Sequence, residues 1–398
     1  MRIGEAGAAT RPPAKSWPGL AAAAALLILY ALFGVTVALH THHRLDPSGS
    51  PQFYDFSAFY QAGRFADAGQ AAAAYDDKAM IAAERAAFPG VTARLPWNYP
   101  PSFQLVMAPL AALPYAAAWL VWTIATFGLF AAMARRLLPL RDVWILLLAP
   151  AAAINLLVGQ NGILTCVLMG AGVLALERRP FVGGMLLGLL SYKPHFAVLA
   201  PLLLLITRQW RALGGAVVAG AVLMLASLVL LGEGAWIGFI DKTLHPAVFS
   251  SSSSDWRNIP SVQILARSLG LPGLAASALQ GAVALAAIAG AARVWLRTKN
   301  ARPRLAVLAA ASLLITPYLR VYDLTLLALP IAILAAEDEV PLAERAGLAI
   351  AWLLPIYLLF GQPRIQVGAL ATLAVTGLAC WRALRSDAAT KRLTLGAS

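Results

Sequence analysis

The residues best able to do chemistry lie between Asp55 and Pro101. This segment opens Asp55-Phe56-Ser57-Ala58-Phe59-Tyr60-Gln61-Ala62-Gly63-Arg64 and closes Trp97-Asn98-Tyr99-Pro100-Pro101. Six of the chain's 18 acidic residues fall in it or just upstream: Asp46, Asp55, Asp67, Asp76, Asp77 and Glu84. Asp55 follows an aromatic, extended stretch and starts a helical pattern in which Tyr60 and Arg64 sit one turn apart on one face. A carboxylate at a membrane edge beside an arginine is expected to keep a normal or lowered pKa and to accept a proton from an incoming hydroxyl. The alternative is a structural one, in which Asp55 caps its helix or pairs with Arg64.

Three further polar clusters point to an anion. Lys193-Pro194-His195 and Arg320-Val321-Tyr322-Asp323 each interrupt apolar sequence. Cations at such places either anchor helices at the interface or bind a ligand, and two of them facing the Asp55 segment suggest a shared phosphate site. Pro100-Pro101 opens an apolar run too short to span a membrane. A helix starting there would point free N–H groups at an anion, or would serve only as a turn. Gly159-Gln160-Asn161-Gly162 forms another polar turn, and Asp255-Trp256-Arg257-Asn258 lies in a longer polar loop. His40, His42 and His43 invite a metal, but without carboxylates at ligand spacing they read as interfacial side chains, so no metal or other cofactor is expected.

The elements that position these groups are membrane helices. Of 398 residues, 60% are hydrophobic and 12% charged, with a mean hydropathy of +0.73, which indicates an all-α polytopic membrane protein. The apolar runs predict twelve spans: 17–39 as a retained anchor, then 114–134, 143–157, 162–176, 180–192, 194–207, 211–231, 272–297, 304–317, 322–336, 343–360 and 364–382. Those around 180–207 and 304–336 are short enough to be broken or tilted around a cavity. With both termini in the cytoplasm, nineteen of the 31 Lys and Arg residues fall in inner loops, as the positive-inside rule requires. The net charge of +13 is thereby explained by topology, and no nucleic acid is expected as partner. Cys166 and Cys380 both lie in apolar runs, which leaves neither a disulfide framework nor a thiolate metal site. One domain is expected, with a first outer loop at 40–113 carrying short helices and a long outer loop at 232–271. All the unusual polar clusters then share the outer face.

The Asp55–Arg64 segment, Trp97-Asn98-Tyr99-Pro100-Pro101 with Ala108-Pro109-Leu110, Gly159-Gln160-Asn161, Gly188 with Lys193-Pro194, the 258–267 segment and the turn before Asp323 occur in an order that resembles glycosyltransferase family 87. The resemblance implies a GT-C type fold with about twelve membrane helices in the cell membrane. It also implies a polyprenyl-phosphate sugar donor, usually of mannose, and a lipid or glycan acceptor among the membrane lipids of the envelope, with inversion at the sugar. The family's base maps onto Asp55. Tyr60, Arg64, Tyr99, Pro101, Gln160, Asn161, Lys193, His195, Asn258, Arg320, Tyr322 and Asp323 become candidate contacts to donor phosphate or substrate. Trp97, Tyr99 and Tyr60 are candidates to stack on sugar or isoprenoid. The rival class is a lipid or solute transporter, which also needs a polar cavity among helices but more often shows repeated halves.

Overall fold

A computed structural model describes residues 23–32, 35, 53–92, 95–244, 259–360 and 365–395, which include no strand. A first helix, α1 (Ala23–Leu32), precedes the outer segment. That segment folds as α2 (Tyr54–Asp67), a 3-10 turn at Ala71–Tyr75, α3 (Asp77–Ala87) and α4 (Pro101–Ala111). After α5 (Tyr115–Leu137) come α6 (Val143–Leu147), α7 (Pro150–Val158), α8 (Gly162–Leu176), α9 (Pro180–Gly188), α10 (Pro194–Ala197), α11 (Leu199–Ile206) and α12 (Trp210–Leu231). The remainder is α13 (Glu233–Leu244), α14 (Val262–Ser268), α15 (Gly273–Arg297), α16 (Ala301–Ile315), α17 (Thr325–Ala335), α18 (Leu342–Phe360) and α19 (Gly368–Leu395).

Local sequence accounts for many of the boundaries. Pro101, Pro150, Pro180 and Pro194 each stand at the first helical position, where the missing N–H costs nothing. Asp76 caps α3 by accepting from the Lys78 N–H, Ser261 caps α14 through the Ile264 N–H, and Asn300 caps α16 through the Arg302 N–H. The α7 helix ends at Gly159 in the left-handed conformation, φ 73°. A Cβ there would stand 2.5 Å from that of Phe56, so the tight turn and the close approach of α2 both require glycine.

The interior is built on α16 and α17, which are buried on nearly every side and hydrophobic all round. α12 and α15 instead present Val217, Val222, Val229, Leu274 and Leu285 outward, as helices facing lipid do. Helix α9 approaches α12 so closely that a side chain at Gly184 would collide with the Ala212 carbonyl, the small-residue contact that lets membrane helices pack tightly.

Among the described residues three helices, Tyr115–Leu137, Trp210–Leu231 and Gly273–Arg297, are long and apolar enough to cross a membrane, and the pair Leu140–Leu147 and Pro150–Val158, bent by 50°, makes up to four. By length and composition the described residues thus support three or four full spans, and the expected count of twelve is not confirmed. Pro180–Tyr192, Pro194–Ile206 and Val321–Ala335 are short apolar helices. The first continues into a 3-10 turn at Leu189–Tyr192 and the last begins with one at Val321–Leu324. These are the places where the sequence predicts broken elements. The break between α6 and α7 is held by side chains, with Tyr30 donating to the Leu148 carbonyl at 2.9 Å and Trp352 to that of Ile145 at 2.8 Å.

The bundle has two chemically distinct ends. At one, Glu177 accepts from the Ala301 N–H at 3.0 Å and Arg302 donates to the Leu137 carbonyl at 2.9 Å, which gathers the basic connectors before α6, α9 and α16. At the other, the N-terminus of α2, the turn at 159–162, the α9–α10 junction and the 316–323 turn converge.

Candidate active site

These converging elements enclose a cavity of about 660 Å³, lined by Asp55, Tyr99, Gln160, Lys193, His195, Arg320, Tyr322 and Asp323. Its aromatic walls are Tyr54, Phe59, Tyr75, Trp97 and Tyr318, and Phe239, Lys242 and Thr243 close it from α13. Residues more than 250 positions apart in sequence thus meet in one place.

The placement of Asp55 starts at Phe53, which precedes α2 in the left-handed region at φ 54°, an uncommon conformation for a bulky residue. Its ring stacks on Trp119 with centroids 3.6 Å apart, and its carbonyl accepts from the Tyr115 hydroxyl at 3.1 Å. Two residues on, Asp55 lies in the first turn of α2, makes no side-chain cap, and accepts a hydrogen bond from Gln160 Nε2 at 3.0 Å. Both structural alternatives for Asp55 therefore fail, because Arg64 is exposed at the far end of α2.

Burial pushes the Asp55 carboxyl up to about 7, against the lowering effects of the Gln160 hydrogen bond, Arg320 and Lys193 and with a smaller upward effect from Asp323. The expectation of a normal or lowered pKa is overturned, since the arginine thought to stand beside it is remote and desolvation outweighs the cations that are near.

Gln160 is fixed on every side. Its Oε1 accepts from the Tyr99 hydroxyl at 3.1 Å and from the Asn161 N–H at 3.2 Å, and its backbone N–H bonds the Asn155 carbonyl at 2.9 Å. Trp122 Nε1 donates to the Gln160 carbonyl at 3.4 Å. The Asn155 amide spans the same turn, donating to the Gln160 carbonyl and accepting from the Gly162 N–H, each at 2.9 Å. A Cβ at Gly162 would lie 2.5 Å from that amide, so glycine is required here too.

Lys193 is buried, with Nζ 2.6 Å from Asp323 Oδ1 and 3.0 Å from Asn161 Oδ1. Asp323 Oδ2 accepts from the Arg320 N–H at 2.9 Å. The lysine expected to meet a phosphate lines the cavity while paired with a carboxylate, and the pair ties the α9–α10 junction to the 321–324 turn. The Arg320 guanidinium packs over Tyr318 at 5.8 Å, and the Nε2 of His195 is enclosed without a hydrogen-bond partner among the described residues.

Several expected contacts lie elsewhere. Tyr60 turns away from the cavity, donates to the Leu113 carbonyl at 2.8 Å and packs edge-on against Tyr115, so it stacks on no substrate. Arg64 is exposed outside the cavity. Pro101 is buried and does not line the cavity, and the N–H groups of Phe103 and Gln104 turn back to the Pro100 carbonyl. Asn161 is buried behind the wall as a ligand of Lys193. Asn258, His40, His42, His43 and the Asp255–Arg257 and Gln362–Arg364 stretches fall outside the described residues. Among the described residues no three His, Cys, Asp or Glu side chains converge.

Sequence reasoning missed the α13 wall and the role of Tyr75, whose hydroxyl donates to the Tyr99 carbonyl at 2.9 Å. It also missed that Glu84 is buried, accepting from Ser57 Oγ at 3.5 Å and the Leu95 N–H at 3.4 Å, with burial pushing its carboxyl up to about 7. Nothing in a local motif signals either; both depend on which elements pack across the loop.

A helical membrane protein with a carboxylate set against cations in an aromatic cavity at one end of its bundle is suited to group transfer within the membrane's edge. The chain belongs to glycosyltransferase family 87, whose family model matches residues 97–317, more than half its length. No curated protein and no solved structure matches it. The chain is accordingly a membrane glycosyltransferase.

Proposed function

We propose that the protein transfers a hexose, mannose being the first candidate, from a polyprenyl-phosphate donor to a lipid or glycan acceptor in envelope glycolipid synthesis, with inversion and with Asp55 as general base. The acceptor hydroxyl attacks the anomeric carbon as its proton passes to Asp55. The C–O bond to phosphate breaks on the opposite face, and polyprenyl phosphate leaves with the bonding pair. A base titrating near neutrality is matched to this task, and the single observation that carries the assignment is the Asp55 carboxyl facing the cavity with burial raising it to about 7.

Arg320 and His195 line the same cavity and are assigned to the leaving phosphate, with Tyr318 and Tyr322 beside them. Lys193 acts behind them by fixing Asp323 and the turn that carries Arg320. Such a preorganised cation at the point where negative charge grows does the work that a metal does in other transferases, so no metal is invoked. The basic connectors at the opposite end of the bundle favour the cytoplasm, which supports a cavity on the outer face of the cell membrane, with lipid-linked sugars as donor. Membership of a transferase family argues against the transporter alternative.

Purified protein in nanodiscs, given radiolabelled polyprenyl-phosphate mannose or polyprenyl-phosphate glucose with an extract of membrane lipids, is expected to label a lipid product. Asp55→Asn is expected to lower the rate by roughly 10²–10⁴-fold, the usual contribution of a general base. Normal turnover by that variant would remove Asp55 from the mechanism, and labelling from one sugar alone would identify the donor.

A further inference from the structure

We infer that Gln160 and Tyr99 are positioning residues for Asp55 and not substrate contacts: a one-way hydrogen-bonded chain, Tyr99 to Gln160 to Asp55, sets the direction in which the carboxylate points. This deepens the proposed function and rests on it for the role of Asp55 as base.

The direction of the chain follows from donor and acceptor bookkeeping. Gln160 Oε1 takes hydrogen bonds from two donors, the Tyr99 hydroxyl and the Asn161 N–H. A backbone N–H can only donate, so the amide oxygen is committed to that side and the NH₂ must face Asp55 Oδ2, 3.0 Å away. Tyr99 is held as a donor because burial, together with the Asp323 and Asp55 charges, raises its phenol well above the usual range and keeps it protonated. Its own carbonyl is tethered by the Tyr75 hydroxyl. Gln160 is 6% exposed and its backbone is tied to Asn155 and Trp122, so the amide has no room to swing toward a sugar.

The consequence for the chemistry is specific. One carboxylate oxygen, Oδ2, is occupied by the amide, which leaves Oδ1 as the atom that takes the acceptor proton. The charged groups that bear on Asp55 are Arg320 and Lys193, which favour its anion, and Asp323, which opposes it; the neighbouring phenols are Tyr99 and Tyr322. The Gln160 amide donates directly to it.

The test titrates Asp55 without needing turnover. In nanodiscs, pH-dependent infrared difference spectra, referenced to Asp55→Asn, isolate the carbonyl stretch of protonated Asp55. Wild type is expected to titrate near pH 7. Gln160→Leu, which removes the donor to the anion, should raise the midpoint by about one pH unit, the scale of one hydrogen bond to a charged group. Tyr99→Phe keeps the ring and should raise it less. In the Gln160→Leu background it should add nothing, because Tyr99 acts through Gln160.

An unmoved midpoint in Gln160→Leu, or a Tyr99→Phe shift that persists without Gln160, overturns the inference. Should Gln160→Leu not fold, the Tyr99→Phe midpoint alone decides, an unchanged value refuting the chain. In the transfer assay both variants should lower kcat and displace the pH–rate profile with the infrared midpoint while KM stays nearly constant. A raised KM with kcat and midpoint unchanged would mark them as substrate contacts instead. Shifted midpoints in a protein that transfers no sugar would leave the positioning chain standing and refute the catalytic role of Asp55.

Discussion

Asp55 illustrates how burial and function oppose each other at a single residue. Burial pushes its carboxyl up to about 7 in the folded protein from 3.8 for the free side chain. Between these values the folded protein holds a proton that the unfolded chain has lost, so the contribution of Asp55 to stability falls as pH rises from about 4 to 7 and remains unfavourable above that. Asp55→Asn should therefore raise the melting temperature at pH 8 relative to wild type and change it little at pH 4.5, while slowing transfer. Thermal unfolding in detergent at the two pH values checks this, and equal shifts at both would refute it. For the same reason the wild-type rate should climb with pH and level off above about 7, as the base loses its proton. Arg64, exposed and outside the cavity, provides the contrast: Arg64→Ala is expected to leave kcat/KM within about twofold, in line with ordinary surface substitutions.

At the scale of elements, the buried Lys193–Asp323 pair joins the α9–α10 junction to the 321–324 turn. Taking two charges out of water is costly and is repaid only while both are present. Removing one partner, as in Lys193→Met, should cost about 3–5 kcal/mol, and Lys193→Met with Asp323→Leu should recover much of that stability without recovering transfer. Denaturation of the single and double variants measures the coupling; additive losses would show that the pair is not a unit. The elements that carry the site were legible in part. Polar turns at 159–162, 192–195 and 320–323 stand out against apolar sequence, and the α2 pattern announces a helix after Asp55. Which face of α2 would meet which turn was not legible, and so Tyr60 and Arg64, chosen for sharing a helical face, lie away from Asp55. The difference lies in the α4–α5 connection, where the Leu113 carbonyl and the Tyr115 ring at the start of α5 capture Tyr60.

At the scale of the molecule, the separation of a polar cavity from a rim of basic connectors predicts which end faces out. In intact cells a membrane-impermeant maleimide should label Asn98→Cys, at the exposed cavity mouth, and spare Arg178→Cys, in a connector at the opposite end. The reverse pattern would place the cavity in the cytoplasm and exclude an outer-face donor. Native Cys166 is buried and Cys380 partly so, which keeps background labelling low.

Composition and hydrophobic spacing by themselves determined a helical membrane protein, the order of its apolar elements and the polar turns between them, because lipid forces every backbone group into helices and leaves long apolar runs as their record. Tertiary structure alone decided that Asp55 answers to Gln160 across 105 residues and not to Arg64 nearby, and that Lys193 is committed to Asp323. Hydrogen bonds and desolvation depend on distance in space, and helices that meet only at one end of a bundle leave no trace of that meeting in residue spacing.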